Sequence, residues 1–179
     1  PPGAVVVQTL ANGWSNVAHL GAAGPLPTAF TYLPPWESAY SWDPTKPAFD
    51  GRSGAYRRAF SDAPPFINDW TAVATYDTYW VYGTGGNIAV SNPNPPPGRV
   101  VSLKAGWNNF VYTGTTKAVA DALSEVTGKF TQVLQYENPT GKWLSYLPGQ
   151  PRFGQDFGGL FKLKVYWIYM TEAGSITMN

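Results

Sequence analysis

Histidine occurs once in the chain, as His19, and cysteine not at all. A Ser-His-Asp or Cys-His hydrolase needs a base beside its nucleophile, and a zinc centre needs several imidazole or thiolate ligands, so neither chemistry has its parts. Disulfide frameworks and thiol catalysis fall with the cysteines. His19 corresponds to Tyr112 in a later repeat of the same segment, which marks an ordinary strand position. The 11 carboxylates could in principle supply the acid and base of a glycosidase. The acid that recurs, however, is Asp69/Asp156, placed before Trp70 and Phe157. An Asp repeated at a corner reads as an acceptor for backbone N–H groups in an Asx turn. Glu37, Asp43 and Asp50 lie near one another and could offer hard oxygens to Ca²⁺, but without EF-hand spacing. Gly83-Thr84-Gly85-Gly86-Asn87 has the glycines of a phosphate loop and no helix behind it, so it reads as a hairpin turn. The residues describe a protein that is not an enzyme, with no catalytic residue, no metal and no cofactor.

Charged residues make up only 13% of the 179 and aromatic residues 16%, and 12 Lys and Arg against 11 Asp and Glu leave a net charge of +1. Disordered chains have the opposite composition. Without a basic excess there is no electrostatic footprint for nucleic acid. The longest apolar run, Val165 to Thr171, is far short of the ~20 residues of a spanning helix, so no membrane insertion is expected. Starting at Pro1 with no Met and no signal-like stretch, the sequence reads as a processed product or an excised piece.

What must position these residues is a duplicated unit. Val7 to Gly21 recurs at Val100 to Gly114, a shift of 93, keeping Val, Leu, Gly, Trp, Asn and Gly. Pro64 to Thr84 recurs at Pro151 to Thr171, a shift of 87, keeping Pro, Phe, Asp, Tyr, Trp, Tyr and Thr. Two homologous modules follow, 1–92 and 99–179, joined by a Pro-rich linker at 93–98 that should be extended and semi-rigid. The fold class is mostly β: two small sandwich-like or barrel-like modules, the second with one amphipathic helix.

Copy two carries Leu103-Lys-Ala-Gly-Trp-Asn108, Val119-Ala-Asp-Ala-Leu123, Trp143-Leu-Ser-Tyr-Leu-Pro-Gly-Gln-Pro151 and Tyr166-Trp167. This pattern resembles the tandem Gly-Trp-Asn repeat modules of secreted and surface proteins from thermophilic bacteria. The resemblance implies a non-catalytic accessory or surface module in an extracellular or cell-surface location. Copy one departs from the pattern between Gly21 and Tyr56.

Within copy two, Val119, Leu123 and Val126 fall at helical spacing and predict a helix over 116–126. Phe130 to Tyr136 and Lys142 to Tyr146 flank Asn138-Pro139-Thr140-Gly141 as a hairpin. Lys164 to Met170 is apolar on both faces and reads as a central strand, with Ser175 to Met178 as the last strand. In copy one, four prolines between Ala22 and Pro35 predict that the helix is lost or cut to one turn.

The recurring pairs Trp14/Trp107 and Trp80/Trp167 are assigned to the cores. Trp36, Trp42, Phe49, Tyr56 and Trp70, crowded into the divergent half, are the candidates for an exposed interface or ligand surface. If strands are exchanged between copies, Val5, Val6 and Val7 or Ile176 and Met178 would supply them. Low charge and an apolar patch point to self-association as a homopolymer, an extracellular structural subunit of a filament or appendage. The alternative is a tandem carbohydrate-binding accessory of a secreted hydrolase, with a polysaccharide as partner.

Overall fold

A computed structural model describes residues 5–91 and 95–179; residues 93 and 94 of the linker lie outside this range, as do the side chains of Val5 and Val6. The strands of the first copy are β1 (Val5–Leu10), β2 (Gly13–Ala18), β3 (Gly24–Pro25), β4 (Trp36–Pro47), β5 (Ser53–Phe60), β6 (Ala72–Val73), β7 (Thr78–Gly83) and β8 (Gly86–Ser91). Those of the second are β9 (Arg99–Leu103), β10 (Gly106–Val111), β11 (Lys117–Ala118), β12 (Phe130–Glu137), β13 (Lys142–Tyr146), β14 (Gly159–Leu160), β15 (Val165–Met170) and β16 (Gly174–Met178), with helix α1 (Val119–Ala122) after β11. The protein is mostly β, as its composition and alternation predict.

Each copy builds the same three sheets. A four-stranded sheet runs β2-β7-β4-β5 in the first and β10-β15-β12-β13 in the second, accompanied by ribbons β1-β8 and β3-β6, or β9-β16 and β11-β14. The registers agree residue for residue under the shifts read from the sequence. Trp14 opposes Tyr82 as Trp107 opposes Tyr169, and Gly24 opposes Val73 as Lys117 opposes Leu160. Gly13 and Gly106, at φ 111° and 89°, supply the left-handed backbone that starts β2 and β10. The central position predicted for Lys164 to Met170 is that of β15, paired on both sides.

Two compact units divide the chain: Pro1–Trp42, Tyr56–Asn94 and Glu137–Lys142 form one, and Asp43–Ala55, Pro95–Tyr136 and Trp143–Asn179 the other. They depart from a cut into 1–92 and 99–179 at two hairpin tips, 43–55 and 137–142. The first core gathers Val17, Phe30, Trp70, Tyr79 and Ile88; the second gathers Phe110, Leu123, Val126, Tyr166 and Ile176.

The helix of copy two is shorter than its spacing predicts: α1 ends at Ala122, and a 3-10 turn, Ser124–Val126, completes the segment. Val119, Leu123 and Val126 are nonetheless all buried, because a 3-10 turn delivers its apolar residues to the same sheet. In copy one a single 3-10 turn, Thr28–Phe30, stands in this part of the fold. It drives Phe30 into the core, where the ring stacks on Tyr79 at 4.7 Å and 24°.

Placements expected from the sequence are corrected. Trp70 is 1% exposed and belongs to the first core, its ring 5.6 Å from Phe30. Trp14, assigned to a core, is 42% exposed, because its strand turns Val17 inward and hence Trp14 outward. Ile176 and Met178 are interior residues of the second core, so an exchange of β16 between copies would have to rebuild that core around the incoming strand. Phe30→Ala removes the ring that replaces the helix, and is expected to lower the unfolding free energy by about 3–5 kcal/mol in urea titration.

Candidate functional site

Strand register gathers one set of aromatic rings on the outer face of the first four-stranded sheet. Residues 14, 80, 82, 40 and 42 share this face because opposed residues on neighbouring strands point the same way. Trp14 lies 5.2 Å from Tyr82 and 5.6 Å from Tyr40. Tyr40 in turn lies 6.2 Å from Tyr56, and Tyr56 5.0 Å from Trp42. Trp14, Tyr40, Tyr56 and Trp80 line a trough of about 400 Å³ with almost no polar atoms. Burial pushes the Tyr56 hydroxyl above its usual range, and a hydrogen bond with the Trp80 indole partly offsets this. In the second unit the corresponding face carries Trp107, 5.2 Å from Tyr169 and 6.2 Å from Trp167.

A second aromatic feature is the tip of the β4-β5 hairpin. Gly51 N–H donates to the Ala48 carbonyl at 3.0 Å and Ala48 N–H to that of Arg52 at 2.8 Å, so the turn is closed by its own backbone. Gly51 takes φ 80°, and Asp50 pairs with Arg52 at 2.8 Å. This turn holds Phe49 fully in water. Phe66 and Phe153, at equivalent positions in the two copies, are 84% and 94% exposed on Pro-initiated and Arg-initiated 3-10 turns.

Of the five candidate surface residues, Trp42 and Tyr56 join the aromatic face and Phe49 caps the hairpin. Trp36 is half-buried, packed against the first core with its ring 5.5 Å from Phe30. Trp14, Tyr40, Trp80, Phe66 and Phe153 were missed. The period-2 alternation of Trp14 against Val17 is the signal that places Trp14 outside.

The candidate exchange strands are held in place. Val5, Val6 and Val7 lie on β1, paired with β8 over six residues. The sheet edges beside them are occupied by side chains: the Gln8 carboxamide takes the N–H of Ala18 at 3.0 Å and gives to its carbonyl at 2.9 Å. Asn138, in the same unit, does so for Asn16 at 2.8 and 3.2 Å. On edge strand β5 the Arg58 N–H donates to Asp69 at 2.6 Å and the Phe60 N–H to Asn68 at 2.9 Å. On β13 and just after it, Asp156 and Gln155 accept the N–H groups of Ser145 and Leu147 at 2.8 and 2.7 Å. The recurrent Asp is therefore structural, and it reaches across to a strand edge instead of closing an Asx turn.

His19 is buried in a directed chain. The Ala22 carbonyl, 2.8 Å away, can only accept, so Nε2 carries the proton of the neutral ring. Nδ1 then accepts from the Tyr32 hydroxyl at 2.8 Å, and the Tyr32 oxygen from the Tyr79 hydroxyl at 3.0 Å. Burial pushes Tyr32 up to about 12 and Tyr79 well above the phenol range. Tyr166, the counterpart of Tyr79, rises to about 12 for the same reason. Asp43 accepts from the Thr45 N–H and hydroxyl at 2.9 and 2.7 Å. Among the described residues no three His, Asp or Glu side chains are arranged to hold a metal ion.

An unfolded tyrosine ionises near pH 10, so these raised groups add stability that is fully present below pH 10 and lost as pH rises toward 12. Phenolate absorbance should show Tyr32, Tyr79 and Tyr166 ionising later than an unperturbed phenol, and urea midpoints should fall as the pH rises from about 10 toward 12. Compared with protein families, with curated proteins and with solved structures, the chain shows no significant match to any.

Proposed function

We propose that the chain is a non-catalytic extracellular structural protein, the repeating subunit of a surface filament or appendage. One copy joins the next by seating Phe49 in the aromatic trough of the neighbour's first unit. The observation that carries this reading is the coexistence, on one chain, of an apolar knob fully in water and a slot walled by four rings. Leaving a Phe side chain in water forgoes about 1.5–3 kcal/mol of burial. A knob and a slot at different places on one subunit make a heterologous contact, which yields an open polymer when the rotation does not close a ring.

The rest of the surface supports the same reading. A net charge of +1 offers little repulsion between copies. Edges already occupied by Gln8, Asn138, Asn68 and Asp69 favour joining through side chains over joining through strands. Phe66 and Phe153 are further apolar side chains left in water. The resemblance to tandem Gly-Trp-Asn modules of secreted and surface proteins agrees with a place outside the cell.

Light scattering and negative-stain imaging test the reading. The purified chain is expected to lengthen into polymers with concentration, while Phe49→Ser and Tyr56→Ala each weaken the contact by about 2–4 kcal/mol, the size of a hot spot. Mixing the two variants restores one knob and one slot, and growth stops at pairs. A chain that remains monomeric near ~1 mM, the limit of weak association, or polymers indifferent to Phe49→Ser, would refute it.

A further inference from the structure

The second unit contains a cleft of about 380 Å³, lined by both polar and apolar groups, between the start of α1 and the segment from Tyr146 to Gly158. Its floor is aromatic, with the rings of Tyr146 and Phe157 6.2 Å apart and inclined by 41°. The Tyr146 hydroxyl, the Gln150 carboxamide and the Arg152 guanidinium border it with no hydrogen-bond partner among the described residues. Asp156 commits Oδ2 to the Ser145 N–H and hydroxyl at 2.8 and 2.9 Å, which leaves Oδ1 as a spare acceptor. A Cβ on Gly158 would stand 3.4 Å from Arg152 Nη1, an ordinary contact distance, so the two residues are neighbours on the cleft wall.

The first unit supplies the control. It has the same cleft at the equivalent position, reduced to about 90 Å³. Counting back 87 residues, Gln150 becomes Ala63, Arg152 becomes Pro65, Phe157 becomes Trp70 and Gly158 becomes Thr71. Trp70 and Thr71 are larger than Phe157 and Gly158, whereas Ala63 and Pro65 are smaller than Gln150 and Arg152 and carry none of their polar groups. Asp69/Asp156, by contrast, makes the same strand-edge bond in both copies. The fold therefore requires the clamp but not the open cleft, and the groups that border the cleft are available for a ligand.

Their chemistry selects the class. An aromatic floor suits the apolar C–H face of a pyranose, and planar guanidinium, carboxylate and carboxamide groups suit its hydroxyls. Arg152 and Asp156 together carry no net charge that would favour an ion. We propose that this cleft binds a neutral saccharide, a site distinct from the aromatic trough and independent of the assembly reading.

Calorimetric titration of the full chain with malto-, cello-, manno-, galacto- and chito-oligosaccharides is the test. One of these should bind at one site per chain. Arg152→Gln should weaken it by about tenfold or more, the scale of one charge-assisted hydrogen bond. Gly158→Thr, which imports the residue of the closed copy, should do the same. Both variants should keep the wild-type melting temperature, and Phe49→Ser should bind as wild type whether or not it assembles. Silence toward every sugar up to roughly 10 mM, well above a weak millimolar Kd, overturns the proposal, as does affinity unchanged in both cleft variants or binding confined to polyuronates.

Discussion

The pairing of β2 with β7, and of β10 with β15, is the constraint on which the rest of each unit hangs. A side chain locks each pairing: the Asn16 amide donates to the Tyr79 carbonyl and the Asn109 amide to that of Tyr166, both at 3.1 Å. Side chains alternate along a strand, so a slip of one residue would bring Trp14 and Trp80 inward and send Val17 and Tyr79 out. The register thus decides at once which residues form the core and which form the aromatic face. The closing turns are equally specified. Tyr76 and Leu163, equivalent in the two copies, both adopt left-handed backbone at φ 73° and 65°. Each gives its N–H to the carbonyl of His19 or Tyr112, at 2.7 and 2.6 Å. A bulky residue held in that region twice marks a turn that the surrounding bonds over-determine.

Duplication lets one copy report on the other. Groups retained in both, such as Asp69/Asp156 on the strand edge, carry the fold. Where the copies differ, two solutions meet one packing demand. Copy two covers its sheet with α1 and the turn behind it, and Tyr112 sends its hydroxyl to the Thr115 carbonyl at 2.8 Å. Copy one has prolines that forbid a helix, and fills its core with Phe30 and the chain of His19, Tyr32 and Tyr79. The lone histidine is a product of that substitution, a core residue satisfied on both ring nitrogens.

The closed edges shape what the surface can do. An unpaired strand edge is a template for any extended chain, and in the first unit amide and carboxylate side chains occupy both edges of the four-stranded sheet. Recognition then falls to side chains presented on rigid turns and to clefts between them. Both the proposed knob-and-trough contact and the proposed saccharide cleft use such features, and they draw on different residues.

The duplication, the β class and the lost helix of copy one were legible in the amino-acid order, because recurrence, alternation and proline chemistry are local properties of a chain. The faces were not. Trp14 and Trp70 are equally good core residues by type; the alternation that turns Trp14 outward has a direction only once Val17 is known to face the core, and only the fold seals Trp70 beside Phe30. Ile176 and Met178 were read as part of the last strand, but that their side chains enter a core shows only once β16 is paired with β9. The cleft is assembled from residues 118–120 and 146–158, and both it and its smaller counterpart in copy one are lined by residues that meet only after folding. Chemical type and local pattern travel with the chain, whereas burial and shape arise from contacts between residues far apart along it.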